Sequence, residues 1–188
     1  MDITIKGLYK SFGKKKVLNN LSLVIPEGKT TVFMGRSGSG KTTLMNILLG
    51  LMKADSGSVE GVPEKKAAVF QEDRLLEGFD VYANIRFVSD FSEEAIKDRL
   101  ERIGIGNELH TKVSLLSGGM LRRAAIIRAL CSDFELLVLD EPFKGLDGDT
   151  KIKTMEYVRS ETAGKTVLLV THDREEALFF GGNIAEIT

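Results

Sequence analysis

Apolar and polar positions alternate along the first part of the chain and change period near residue 42. Ile3-Thr4-Ile5 alternates, Leu21-Ser22-Leu23-Val24-Ile25 alternates with one break, and residues 30–34 form a short β-rich run that stops at Gly35. Residues 2–34 therefore predict strands, with Gly13 and the run Lys14-Lys15-Lys16 as a solvated hairpin turn. From Thr42 the apolar residues Leu44, Ile47, Leu48 and Leu51 fall at helical spacing, so 30–51 reads as a strand, a glycine loop and a helix. Residues 55–70 return to short strands punctuated by Gly57, Gly61 and Pro63. Between 81 and 116 the pattern is mainly helical, with Ser92 capping a helix whose first turn holds Glu93 and Glu94, and with Gly104 and Gly106 ending it.

Beyond Ser117 the order becomes helix (119–131), strand (136–140), helix (149–161), strand (166–170), helix (175–180) and strand (184–187). Strands apolar at successive positions that alternate with helices predict an α/β fold with a mostly parallel sheet covered on both faces. The helical stretch 81–116 interrupts that alternation and reads as an inserted lobe. A chain of 188 residues makes one domain, or one domain carrying a small lobe.

Composition narrows the partners. Lysine and arginine number 26 against 27 acidic residues, so no bulk field recruits nucleic acid or anionic lipid, and any polyanion must be bound locally. The one cysteine, Cys131, lies in the apolar stretch 126–131 and reads as a buried small hydrophobe rather than half of a disulfide. The start, Met1-Asp2-Ile3-Thr4, has neither the basic flank nor the apolar run of a signal peptide. The longest apolar run, 166–171, is far short of the roughly 20 residues that span a bilayer, which places the chain in the cytoplasm unless a partner holds it at a membrane.

Chemistry concentrates in three places. Gly35-Arg36-Ser37-Gly38-Ser39-Gly40-Lys41-Thr42 fits G-x-x-x-x-G-K-[ST] between a strand and a helix. In that context backbone N–H groups converge on phosphate oxygens, Lys41 reaches the β- and γ-phosphates, and the Thr42 hydroxyl suits Mg²⁺. Leu136-Leu137-Val138-Leu139-Asp140-Glu141 is an apolar strand that ends in two carboxylates, a costly placement unless cations compensate them. Asp140 would hold a Mg²⁺ shell and Glu141 would orient or deprotonate an attacking water. Leu116-Ser117-Gly118-Gly119-Met120 opens an apolar helix and makes a second phosphate-binding device.

Taken in order, GRSGSGKT at 35–42, Gln71 within VFQEDRLL, LSGGM at 116–120, LLVLDEP at 136–142, GLD at 145–147 and THD at 171–173 resemble the ATP-binding subunit of ABC transporters over nearly the whole chain. The resemblance implies a P-loop NTPase, RecA-like core, a small antiparallel β lobe at about 1–30 and 55–66, and a helical lobe at about 78–130, all in one ATPase domain. It implies ATP and Mg²⁺ as ligands, with the glycine loop through Thr43 on the phosphates and Thr42, Gln71 and Asp140 at the metal. It implies head-to-tail dimers, of identical or paralogous subunits, in which Ser117, Gly118 and Gly119 of one chain contact the γ-phosphate held by the other. Phe12 would stack on adenine, Gln71 would link Mg²⁺ and water to the membrane partner, Asp147 would cross the interface, and His172 would hold the γ-phosphate. Alone, Phe12 also suits hairpin packing with Tyr9 as a competing aromatic, Gln71 a strand end and His172 a helix cap. His110 matches nothing and reads as a surface residue.

The pattern departs at Met120, Leu121 and Arg122, where Gln, Arg and Gln are commoner, at Arg36, often Pro, and at Lys144-Gly145, often Ser-Ala. No departure removes a phosphate ligand or the base. Short spacings imply a trimmed β lobe and no C-terminal extension. The implied function is an ATPase subunit that energises solute transport by separate transmembrane permease chains, with QEDRLL and LSGGM most like nitrate, sulfonate and taurine importers. The alternative is a soluble ABC-type ATPase acting mechanically on a protein assembly or nucleic acid.

Overall fold

The alternation at the start of the chain closes into an antiparallel sheet. Strand β1 (Ile3–Phe12) turns at Gly13-Lys14 into β2 (Lys15–Ile25), so Lys15 and Lys16 belong to the strand rather than the turn. The core-facing set Ile3, Ile5, Leu8, Leu18 and Ile25 is buried while the strand residues between them stay accessible, lysines, serines and asparagines among them, as expected of a sheet with one wet face. After β3 (Thr30–Met34) and α1 (Lys41–Leu48), β4 (Ser56–Glu60) pairs with the other edge of β1, giving the order β2–β1–β4. Helix α1 stops at Leu48, earlier than its apolar spacing suggests. Gly50 takes φ +78° and Leu51 is exposed, so a left-handed glycine ends the helix before the last position of its stripe.

The computed structural model describes residues 1–35 and 38–186, and the chain forms two compact units. The first comprises Met1–Lys66, Glu135–Asp140 and Gly164–Thr188, and the second Ala67–Phe134 and Glu141–Ala163. Besides the antiparallel sheet, the first unit contains β3 and further strands that run parallel to it. The chain leaves it along β5 (Lys66–Val69) and returns as β6 (Leu136–Asp140), where the Lys65 carbonyl accepts from the N–H groups of Glu135 and Leu136. Strands β7 (Thr166–Val170) and β8 (Asn183–Glu186) complete a sheet of order β5–β6–β7–β3–β8. Every residue of β6 and β7 is buried, which explains their continuous apolar sequence: a strand covered on both faces has no wet positions. Each buried Leu or Val there contributes about 1.5–3 kcal/mol of transfer free energy.

The second unit is helical. Helix α2 (Val81–Arg86) starts where the Asp80 carboxylate accepts from the Ala83 N–H at 2.7 Å, and α3 (Glu93–Arg102) starts where Ser92 Oγ accepts from the Ala95 N–H at 3.3 Å. Two 3₁₀ turns, Gly106–Glu108 and Val113–Leu115, lead into α4 (Gly118–Cys131). A Cβ on Gly106 would lie 2.1 Å from Glu101 Cγ and 3.1 Å from its Cα, so a side chain there would displace Glu101. Helix α5 (Gly148–Glu161) belongs to this unit, whereas α6 (Arg174–Phe180) belongs to the first. Helices α3 and α5 are joined by Arg99, whose Nη1 donates to Tyr157 Oη at 2.9 Å and to the Glu161 carboxylate. Beside this pair sits Cys131, 4% exposed, with its thiol pushed up to about 11, chiefly by burial.

That environment sets an expectation for thiol chemistry. At pH 8 a thiol with a pKa near 11 holds roughly one thiolate per thousand molecules, and burial blocks the reagent as well. Cys131 should therefore react with a disulfide reagent only as fast as the protein opens. Stopped-flow labelling should show the rate rising in step with the unfolding curve in urea; rapid labelling of the folded chain would contradict the buried placement.

Candidate active site

In the first unit, three parallel strands deliver the chemistry at one edge. β6, β7 and β3 are neighbours in the sheet, and their C-terminal ends carry Asp140, the Thr171-His172-Asp173 turn and Gly35 respectively. Ligands of parallel α/β sheets bind at such an edge. Gly38 and Gly40 have φ of +82° and +97°, in the left-handed region that side chains disfavour. At Gly40 space decides as well, because a Cβ would lie 2.8 Å from both the Val17 carbonyl oxygen and Leu18 Cδ2. Strand β2 thus packs tightly against the loop. Helix α1 follows with no side-chain cap, which leaves its first N–H groups for a ligand.

Lys41 Nζ donates to the Gly35 carbonyl at 2.8 Å and lies 3.4 Å from Ser39 Oγ, so its ammonium lies across the loop it follows. Thr42 Oγ1 is 3.4 Å from Asp140 Oδ2, and Asp140 is 4% exposed. A residue 98 positions away in sequence is thereby brought to the start of α1. Arg36 and Ser37 lie outside the described residues. Thr43 sits in the first turn of α1.

His172 is exposed in a turn held from both sides. The Thr171 N–H donates to the Phe33 carbonyl at 3.2 Å, and the Thr171 hydroxyl is 2.5 Å from buried Glu176 Oε2. The helix cap that sequence alone allows for His172 is made by Asp173, whose carboxylate accepts from the N–H groups of Glu175 and Glu176. Phe12, at the end of β1, is 49% exposed with Lys10 Nζ 5.7 Å from its ring centre. Tyr9 is less exposed, at 37%.

The second unit carries the remaining candidates. Glu141 has φ +48°, a left-handed conformation uncommon for any residue but glycine and asparagine, and such strain persists where the surroundings enforce it. Lys144 Nζ lies 2.9 Å from Glu141 Oε2. This pairing escapes sequence reasoning, since the i,i+3 spacing lies in a non-helical turn. Ser117 caps α4 by accepting from the Met120 N–H at 3.3 Å. That bond uses an oxygen lone pair and leaves the hydroxyl hydrogen to donate elsewhere. A Cβ on Gly118 would meet nothing within 4 Å, so the turn is open. Asp147 caps α5 by accepting from the Thr150 N–H at 3.1 Å, and that bond holds its carboxyl below the usual range.

Gln71 is exposed, and its carbonyl is held by Arg122. Past it, Leu76 and Phe79 are 45% and 48% exposed, Phe79 packs edge-on against Phe87 at 5.3 Å, and a depression is lined by residues that include Glu72, Arg74, Leu75, Val113 and Leu121. Buried Asn84 pins this stretch, accepting from the Leu76 N–H and donating to the carbonyls of Leu76 and Asp80. His110 is on the surface, 3.1 Å from Glu93. Among the described residues no helix is long and apolar enough to cross a membrane.

Comparison with known proteins agrees with this arrangement. The family model described as ABC transporter matches residues 18–144. The aliphatic sulfonates import ATP-binding protein SsuB 2 of Frankia alni is 43% identical, over 94% of this chain and 73% of its own length. The taurine import ATP-binding protein TauB of Yersinia pestis is 37% identical, over 97% and 78%. Among solved structures, the dimeric structure of MJ0796, a bacterial ABC transporter cassette, aligns with a TM-score of 0.86 at 29% identity, over 98% of this chain and 94% of that one. With the glycine loop, the strand-end acids and these likenesses together, the chain belongs to the ABC transporter family, as an ATP-binding and ATP-hydrolysing subunit that energises transport.

Proposed function

We propose that residues 1–188 act as one Mg²⁺-dependent ATPase domain that powers import of an organosulfonate by transmembrane permease subunits at the cytoplasmic face of the membrane. The observation that carries the site is the convergence of Lys41, Thr42 and Asp140 at the mouth of the glycine loop. The names of the sulfonate and taurine import relatives support the substrate class. An antiparallel lobe, a helical lobe and a P-loop core are the working parts of this domain.

Phe12 offers an exposed ring face to adenine. Gly35 and Gly38 through Thr43 bind the phosphates, a role that the motif extends to Arg36 and Ser37, and Lys41 moves from the Gly35 carbonyl onto the β- and γ-oxygens. A hydroxyl and a carboxylate are the hard oxygen donors that Mg²⁺ prefers, so Thr42 and Asp140 fit the metal, and Gln71 would join them. Bound Mg²⁺ would neutralise charge on the polyphosphate. Glu141 leaves Lys144 and accepts a proton from the attacking water as the water oxygen bonds to the γ-phosphorus. The bond from that phosphorus to the bridging oxygen breaks, and ADP leaves with the electron pair. His172 donates to the γ-phosphate. A second subunit, identical or paralogous, supplies Ser117, Gly118 and Gly119 to the same phosphate and packs Asp147 at the interface. The dimeric ABC cassette of similar fold supports such an assembly.

Two outcomes test this reading. Glu141→Gln keeps the shape but removes the base, so turnover should fall roughly 10²–10⁴-fold while ATP still binds. The uncleaved nucleotide should then hold two chains together. Light scattering behind a sizing column should give a dimer with Mg-ATP and a monomer without it, and adding Ser117→Arg should restore the monomer; a dimer indifferent to Ser117→Arg would contradict the trans contact.

The exposed apolar residues past Gln71 should receive the permease. Leu76→Asp with Phe79→Asp should abolish co-purification with membranes and spare ATP binding. Full assembly of that double variant would count against this docking surface.

A further inference from the structure

Helix α4 is apolar over most of its length, yet Arg122 is 7% exposed within it. Its guanidinium is fully engaged with the segment that contains Gln71. Nη1 donates to the Phe70 carbonyl at 2.6 Å, Nη2 donates to the Gln71 carbonyl at 2.5 Å, and Nε is 3.2 Å from Asp73 Oδ1. Six residues on, Arg128 Nη1 donates to the Arg74 carbonyl at 2.8 Å, and its Nη2 is 3.4 Å from the Asp73 carbonyl. Arg74 has φ +47° and lays its own guanidinium 3.7 Å over the Phe70 ring. Four carbonyls of residues 70–74 are therefore bound to one helix by two arginines.

The chemistry needs arginine. Two carbonyls of successive residues and a carboxylate make three acceptors around one buried point, and the rigid five-donor fork of a guanidinium matches them at once. The glutamine that the family resemblance favours at 122 has two donors on a shorter stem and no charge for Asp73. Burial raises the Asp73 carboxyl from its ordinary value, while Arg122 and Arg128 pull it back, so the carboxylate depends on the arginines that it helps to orient.

We propose that Arg122 is a positioning residue that fixes the backbone of Gln71 on α4, making the Gln71 segment and the Ser117 cap of the same helix one mechanical piece. A displacement of residues 70–76 by a docked partner then reaches the trans phosphate contact without an intervening hinge. This rests on the proposed part of Gln71 in hydrolysis, and the test separates the two.

Hydrogen exchange reads the clamp itself. Arg122→Ala should speed exchange across residues 71–76 by about tenfold for each charge-assisted hydrogen bond lost, leave residues 41–48 unchanged, and leave ATP affinity unchanged. Arg122→Lys, which retains charge but not the fork, should fall between and guards against a misfolded Ala variant. Turnover then reads function through a double-mutant cycle. Arg122→Ala and Gln71→Ala should each slow hydrolysis, on the order of 10–100-fold for a misplaced group, and the pair together should be no slower than the worse single variant. Unchanged exchange at 71–76 overturns the clamp. Additive effects on turnover overturn its action through Gln71. Faster exchange with Gln71→Ala at full turnover refutes the reading of Gln71 and, with it, the positioning role.

Discussion

A polyphosphate can be held by backbone only where N–H groups converge and no side chain intervenes, and the structure meets that constraint most stringently at Gly40. Its left-handed φ and the 2.8 Å approach of β2 leave room for hydrogen alone. The consequences spread outward. Because β2 lies against the loop, the hairpin that carries Phe12 is fixed relative to that loop. Because the loop must feed a helix whose first turn is uncapped, Lys41 and Thr42 fall at its start. Because the loop follows β3 in a parallel sheet, the neighbouring strands deliver Asp140 and His172 to the same edge.

Charge is managed locally, as a net charge of −1 requires. Candidate acids have contacts within their own unit: Asp140 meets Thr42 in the first, and Glu141 meets Lys144 and Asp73 meets Arg122 in the second. The cations do the same, with Lys41 on the Gly35 carbonyl and Arg122 on the carbonyls of Phe70 and Gln71. Binding a nucleotide is in these terms an exchange of partners. On the proposed reading, intramolecular hydrogen bonds would give way to stronger charge-assisted ones with phosphate.

What was legible in the sequence is what local rules control. The strand that ends in acids, the Ser92 cap and the burial of Cys131 each follow from a few adjacent residues. The end of α1 departs from its pattern, because a left-handed Gly50 overrode an apolar spacing that continues to Leu51. The Lys144 contact with Glu141 was missed because no periodicity governs a turn. The arginine clamp joins residues more than 50 positions apart; its trace in the sequence is the arginines of a largely apolar helix, which by themselves name no partner.

The account stands or falls on Lys41 as the mobile cation of a polyphosphate site. Equilibrium titration of labelled Mg-ATP, ADP and AMP into the native chain and Lys41→Ala measures this most directly. The native chain should bind ATP and ADP far more tightly than AMP, and the variant should lose about 10–100-fold in ATP affinity, the scale of one or two charge-assisted bonds, with its unfolding midpoint unchanged. Equal ATP affinity in the two proteins would contradict the site.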